Sequence, residues 1–370
     1  MTATEAPPAA RLLGWDCIEF WVGNARAFTG WLLSAFGFSC VAYAGPETGV
    51  REKASYVLEQ GDIRLVISGA LTADSPIAAH VRAHGDGVHD LAWLVDDADA
   101  AFAAAVARGA RPVRAPWNED DEHGRLRLAS IGTYGDTQHT FVDRTRYRTG
   151  VLEPGYHAGN LPPDPCGPAT GLTTVDHVVG NVEQGRLEDW VRFYRDVMGF
   201  SQLVHYDDDQ IATEYSALMS TVMWDGTKIV LPLNEPADGR RKSQIEEYLE
   251  TYDGPGVQHI ALRTDDIVAS VTALRQRGVR FMQVPDTYYR EARARLAGID
   301  LPWDDLERLQ VLVDRDEDGY LLQIFTETVT DRPTVFFEII ERRGAKGFGE
   351  GNFKALFEAI EREQARRGNL

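Results

Sequence analysis

The sequence predicts an α+β fold of four βαβββ units paired into two domains, closed by a C-terminal helix. Three observations carry this: the chain repeats itself, each repeat runs strand, helix and then several strands, and a Pro- and Gly-rich stretch separates two halves.

The first unit opens with Trp15-Asp16-Cys17-Ile18-Glu19-Phe20 as a strand, then Val22-Gly23-Asn24. A helix follows with Phe28, Trp31, Leu32 and Ala35 on one face, and Gly37 stops it. Much later, Val175-Asp176-His177-Val178-Val179 leads through Gly180-Asn181 into a helix bearing Leu187, Trp190, Val191 and Tyr194, stopped by Gly199. The second unit repeats too. Gly87-Val88-His89-Asp90-Leu91-Ala92, Asp97, an alanine-rich helix and Gly109 match Gly256-Val257-Gln258-His259-Ile260-Ala261, Asp265-Asp266, a helix through Leu274 and Gly278. These copies give a first domain over 1–155, a linker over 156–170 and a second domain over 171–370. A final strand near Thr334 to Ile340 and a glycine-rich turn lead to a helix with Phe353, Leu356, Phe357 and Ile360 as its apolar stripe.

With 370 residues, each half is large enough to bury a core. A formal charge of -19 opposes binding to nucleic acid, since a polyanion is repelled by most of such a surface. The 3 cysteines, Cys17, Cys40 and Cys166, are scattered and odd in number, which fits reduced thiols in a cytoplasmic protein. Met1 to Arg11 lacks the basic start and apolar run of a leader, and no stretch has the length of a membrane helix.

The duplication lets the halves be compared position by position. His177 stands where the first half has Cys17, and His259 where it has Asp90. Two histidines on equivalent strands of one domain can converge, and Glu338, inside the apolar run Val335 to Ile340, is the best third partner. A carboxylate is costly to bury unpaired and a cation is one way to satisfy it, and two histidines with one carboxylate suit non-haem Fe(II). Each histidine taken alone is more often a hydrogen-bonded core residue, and Glu338 has a rival partner in Arg342.

Other clusters point elsewhere. His84 to Asp90 has metal-like composition but reads as a turn entering a strand, and Asn118 to His123 as a solvated loop. His205 to Asp209 reads as a solvated turn. Gly347-Phe348-Gly349-Glu350-Gly351 lacks the lysine and the βαβ context of a phosphate loop.

Beyond this, the chain resembles the 4-hydroxyphenylpyruvate dioxygenases of the vicinal-oxygen-chelate fold group, over nearly its whole length. The resemblance rests on Val175-Asp176-His177, Leu231 to Pro236, Lys242-Ser243-Gln244-Ile245, Gly256 to His259, Asp314 to Phe325, Arg332 to Glu338, and Gly347 to Phe353. It implies one Fe(II) per chain on His177, His259 and Glu338, with O2 as co-substrate. It further implies an aromatic 2-oxo acid facing Ser220, Pro232, Asn234, Gln244, Gln258, Gln323 and Asn352, with Phe325, Phe336, Phe348 and Phe353 around its ring. Gln323, Gln244 and Asn234 are expected to orient the substrate. Decarboxylation, ring hydroxylation and side-chain migration would give homogentisate, without 2-oxoglutarate, because the substrate carries its own 2-oxo acid. The C-terminal helix, reached through Gly347, Gly349 and Gly351 and capped by Asn352, is expected to act as a lid. Homo-oligomers (dimers or tetramers) are expected, with the first domain a degenerate partner.

Three rival activities share the fold. Hydroxymandelate synthases use the same substrate and iron, although Pro232 and Asn234 look like the dioxygenase pattern. Extradiol dioxygenases need a further acid-base histidine, for which only His205 is available. Non-catalytic binding proteins do not require the triad. Glu350 departs from the basic residue expected at its position.

Overall fold

A computed structural model describes residues 11–147, 152–159, 161–162, 169–206, 217–237, 239, 241–285 and 287–368, apart from the side chains at 217, 353 and 354. The expectations placed on Met1 to Ala10, Cys166 and Asp207 to Asp209, and on the side chain of Phe353, lie outside the described residues.

Two eight-stranded sheets form, one from each half. The first holds β1 (Leu12–Trp21), β2 (Ser39–Ala44), β3 (Lys53–Gln60), β4 (Ile63–Ala70), β5 (Gly87–Val95), β6 (Arg111–Asp121), β7 (Gly124–Gly132) and β8 (Gln138–Asp143). The second holds β9 (Leu172–Asn181), β10 (Ser201–Tyr206), β11 (Ala217–Trp224), β12 (Val230–Ala237), β13 (Gly256–Thr264), β14 (Leu312–Arg315), β15 (Tyr320–Phe325) and β16 (Phe336–Arg343). Strand order is β2-β3-β4-β1-β5-β8-β7-β6 in one and β10-β11-β12-β9-β13-β16-β15-β14 in the other. The second order is the first with every strand advanced by eight, as the duplication requires.

Helices α1 (Ala25–Trp31) and α4 (Leu187–Arg192) each widen into a π-helical turn, and Gly37 and Gly199 follow with positive φ. α2 (Pro76–His84) precedes β5, and α5 (Gln244–Tyr252) precedes β13. α3 (Ala98–Ala107) and α6 (Ile267–Gln276) are N-capped by Asp97 and Asp266, whose carboxylates accept from backbone N–H groups three residues on. The fourth unit adds α7 (Tyr288–Arg295) and α8 (Trp303–Leu309), which the duplication does not foretell. α9 (Glu350–Arg367) closes the chain.

The sheets pack through one continuous apolar cluster that draws on both halves. Phe36 meets Phe337 with ring centroids 4.9 Å apart, and Trp93 meets Phe200 at 5.7 Å. The seam is reciprocal: a Cβ on Gly87 would strike Tyr252 at 2.8 Å, and one on Gly180 would strike Tyr134 at 2.6 Å.

Two expectations are corrected. Asn118 to Asp121 is not loop but the end of β6, paired with β7 in an exposed hairpin that turns at His123. His205 is not in a turn but in β10, opposite Thr221, whose hydroxyl it meets at 2.8 Å. His84 to Asp90 does form the passage from α2 into β5.

Candidate metal centre

Strand pairing brings the three proposed ligands together. Ala261 of β13 lies opposite His177 of β9 on one side and Glu338 of β16 on the other, with His259 two residues away on the same face. His177 Nε2 is 3.2 Å and His259 Nε2 3.4 Å from Glu338 Oε2, so both imidazoles address one carboxylate oxygen. All three residues are buried, and each offers a ligand atom within 4.8 Å of the others.

Their neighbours fix the tautomers. His177 Nδ1 donates to Asp176 Oδ1 at 2.8 Å, and His259 Nδ1 donates to Gln258 Oε1 at 2.9 Å. Both Nε2 lone pairs therefore face the centre, as metal-binding imidazoles require. Asp176 in turn accepts from Arg342 Nε and Nη2, both at 2.8 Å. Arg342 is thus the partner of Asp176, and the alternative pairing with Glu338 is not formed. Gln258, expected to face substrate, both lines the cavity and orients His259.

The charges show what the centre needs. Burial works against the Glu338 carboxylate, yet His177 and His259 beside it hold its pKa below the ordinary range. Burial also opposes charge on His177, but Glu338 and Asp176 outweigh it and raise its pKa. Burial dominates at His259, whose pKa falls. Two imidazoles and a carboxylate that converge in a buried place call for positive charge between them, and the donor set matches a mononuclear Fe(II) site.

A cavity opens beside the triad. Ser220, Pro232, Asn234, Gln244, Gln258, Gln323, Phe325, Phe336 and Phe348 all line it. Phe336 stacks on His259 at 4.8 Å, and Phe348 meets His177 edge-on at 5.4 Å. Leu356, Phe357 and Ile360 of α9 also line it, so the C-terminal helix forms part of its wall. Sequence reasoning missed Val179, Tyr206, Leu218 and Val222, which add apolar wall and give no signal apart from β alternation.

Asn352 departs from its expected role. It is not among the cavity-lining residues, and it does not cap α9. Its Oδ1 accepts from Tyr288 Oη at 2.6 Å, which buries it beneath the helix. Gly349, with φ 77°, occupies the cap position without a side-chain bond, and Asp314 Oδ2 accepts from Gly351 N at 2.8 Å instead. Glu350 is exposed in the first turn, where a negative charge suits the helix dipole.

At the equivalent positions the first half carries Cys17, Asp90 and Thr140 in place of the two histidines and the glutamate. Its pairing Cys17 opposite Ala92 repeats His177 opposite Ala261. The parallel register of Asp90 with Gln138 puts Thr140 at the place of Glu338. Thr140 Oγ1 donates to Asp90, and Leu152 and Tyr156 pack with Ala42, Val57 and Cys17 over the same face.

The fold and this centre define a non-haem Fe(II) dioxygenase of the vicinal-oxygen-chelate group. A family profile described as "Hydroxyphenylpyruvate dioxygenase, HPPD, N-terminal" matches residues 7–156, and one for the "Glyoxalase/Bleomycin resistance protein/Dioxygenase superfamily" matches 174–324. The 4-hydroxyphenylpyruvate dioxygenase of Yarrowia lipolytica is 46% identical over 96% of this chain and 93% of its own. That of Dictyostelium discoideum is 47% identical over 96% and 100%. Among solved structures, a triply substituted 4-hydroxymandelate synthase from Streptomyces coelicolor superposes with a TM-score of 0.85 at 36% identity, covering 97% of this chain and 99% of that one. The chain belongs to the 4-hydroxyphenylpyruvate dioxygenase family.

Proposed function

We propose that the protein converts 4-hydroxyphenylpyruvate and O2 to homogentisate and CO2, drawing on one Fe(II) held by His177, His259 and Glu338. The observation that carries this reading is the buried triad, opening onto a cavity of amides and phenylalanines, in a chain whose relatives over nearly full length bear that activity. Bound there, Fe(II) supplies a Lewis acid for the 2-oxo acid and a site of O2 activation.

The chain's own residues supply the rest. Ser220 and Asn234 are cross-strand neighbours on β11 and β12. With Gln244 and Gln323 they offer neutral hydrogen bonds that orient a phenol and a keto acid without adding charge. Phe325, Phe336 and Phe348 give the ring flat apolar walls. Asp176 and Gln258 keep the two imidazoles in register. α9 excludes water during turnover.

A second reading has support in the likeness to 4-hydroxymandelate synthase: the same substrate hydroxylated at the benzylic carbon. Pro232 and Asn234 look like the dioxygenase pattern, which supports the first reading. No separate 2-oxoglutarate is needed, a homo-oligomer in the cytoplasm suits the family, and the charge of -19 makes nucleic acid an unsuitable partner. Among the described residues no helix is long and apolar enough to cross a membrane.

The deciding experiment is anaerobic reconstitution with Fe(II), addition of 4-hydroxyphenylpyruvate and air, and product identification by chromatography and mass. Homogentisate is expected; hydroxymandelate would reverse the regiochemistry. His259→Ala is expected to lose iron and turnover together, and turnover that survived it would overturn the metalloenzyme reading.

A further inference from the structure

A second imidazole–carboxylate group lies at the seam between the halves, away from the iron ligands and away from the vestigial face at Cys17. α2 contributes His80 and His84, one turn apart; β5 contributes His89; and the turn between β7 and β8 contributes Asp136. His80, His89 and Asp136 each present a ligand atom within 4.8 Å of the others.

The geometry repeats that of the iron centre. The rings of His80 and His89 stand 5.8 Å apart at 78°, against 5.7 Å and 76° for His177 and His259. The carboxylate contacts differ: Asp136 Oδ2 is hydrogen-bonded to His80 Nδ1 at 2.6 Å and lies 3.5 Å from Nε2 of His84, a fourth residue.

Three polar atoms of this group are left without a protein partner. His80 Nε2, His89 Nδ1 and Asp136 Oδ1 are buried with no hydrogen-bond partner among the described residues, and His80 itself is only 4% exposed. Three orphaned atoms on three converging residues call for something that all three can bind. His89 lies flat on Trp21 with centroids 3.4 Å apart, which holds its ring in place within the group. His84 Nδ1 lies 2.6 Å from the carbonyl of Tyr252, which can only accept, so the proton sits there and Nε2 is left as a free lone pair. The Asp136 side chain is 35% exposed, which gives an ion a way in.

We propose that His80, His89 and Asp136 bind a divalent transition-metal ion of the zinc class, with His84 placed to complete a four-ligand set. Imidazoles with one carboxylate select such an ion over calcium or magnesium, which take oxygen ligands. The ion pins α2 to β5 and, through the bond of His84 to Tyr252, fastens the first half to α5 of the second. Its role is structural, and it touches none of the residues that line the iron cavity.

The test is the number of metal ions per chain. The full-length protein, reconstituted with Fe(II) and dialysed against Zn(II), is analysed by elemental mass spectrometry with protein quantified on the same sample. Two dications per chain are expected, against one in His89→Gln, with substrate turnover retained by the variant when it is reconstituted with Fe(II) alone. Asp136→Asn, at a partly exposed turn, repeats the measurement should His89→Gln not fold. Cobalt(II) added in place of zinc is expected to give the intense visible bands of a four-coordinate ion, absent from the variant. Equal metal content in wild type and variants overturns the proposal. One ion in wild type and none in the variants would keep this site and remove the iron reading instead.

Discussion

Arg342 and Asp176 hold each other through two side-by-side hydrogen bonds of 2.8 Å, in a partly buried setting one residue from a metal ligand. The pair is more than a salt bridge. Asp176 also accepts from His177, and Arg342 Nη1 donates to the carbonyl of Gly347 at 2.6 Å, at the start of the segment leading to α9. A line of contacts therefore runs from the triad to the root of the helix that covers it.

Asp176→Ala removes the group that sets the tautomer of His177. Iron affinity is expected to fall about 10–100-fold. Competition with a chelator of known affinity measures it, and an unchanged affinity would show that His177 is oriented by packing alone.

Asp314→Ala removes the acceptor for Gly351 N at the start of α9. The loss is expected to cost about 0.5–2 kcal/mol, confined to the helix start. Hydrogen exchange should quicken in the first turn of α9 and stay unchanged in β9 and β13.

Deleting the chain from Gly347 onward strips Phe348, Leu356, Phe357 and Ile360 from the cavity wall. Oxygen uptake is expected to outrun homogentisate formation, as an electrode and chromatography on one sample would show. Full coupling in the truncated enzyme would sink the lid.

Asp90 carries a pH signature. Burial raises its pKa to about 7 against the hydrogen bonds from Thr140 and Gln138. Below about pH 4 it is protonated folded or unfolded. Between there and pH 7 the unfolded chain gives up the proton and the folded one keeps it, so stability falls as pH rises. Asp90→Asn is expected to remove a decline on the order of 2–4 kcal/mol over that window. Urea melts of both proteins at pH 4 and pH 7 measure the difference.

Much of this was legible in the sequence because duplication acts as an internal comparison. The equivalence of His177 with Cys17 and of His259 with Asp90 is the one the strand register makes. The glycine stops at Gly37 and Gly199 and the aspartate caps at Asp97 and Asp266 are local signals, and they mark helix ends in the structure. What stayed hidden depends on distant partners. Asp176 and Arg342 are 166 residues apart, and nothing near either names the other. Asp314 replaces Asn352 at the start of α9 from 37 residues away, which capping rules based on neighbours do not reach. α7 and α8 lie in the second half alone, and α7 reads as charged, with Tyr288 and Tyr289 as its buried anchors. The acidic run at Asn118 looked like loop because β6 is an exposed edge strand, where polarity does not argue against pairing.

The interlocked aromatic seam has a consequence for how the molecule comes apart. Phe36 leans on Phe337, Trp93 on Phe200, and the same apolar cluster continues through both sheets. Neither half can open without exposing the inner face of the other. Copying the ancestral unit therefore multiplied strands but not melting transitions: one heat-capacity peak, rather than two, is the thermal record such an architecture leaves.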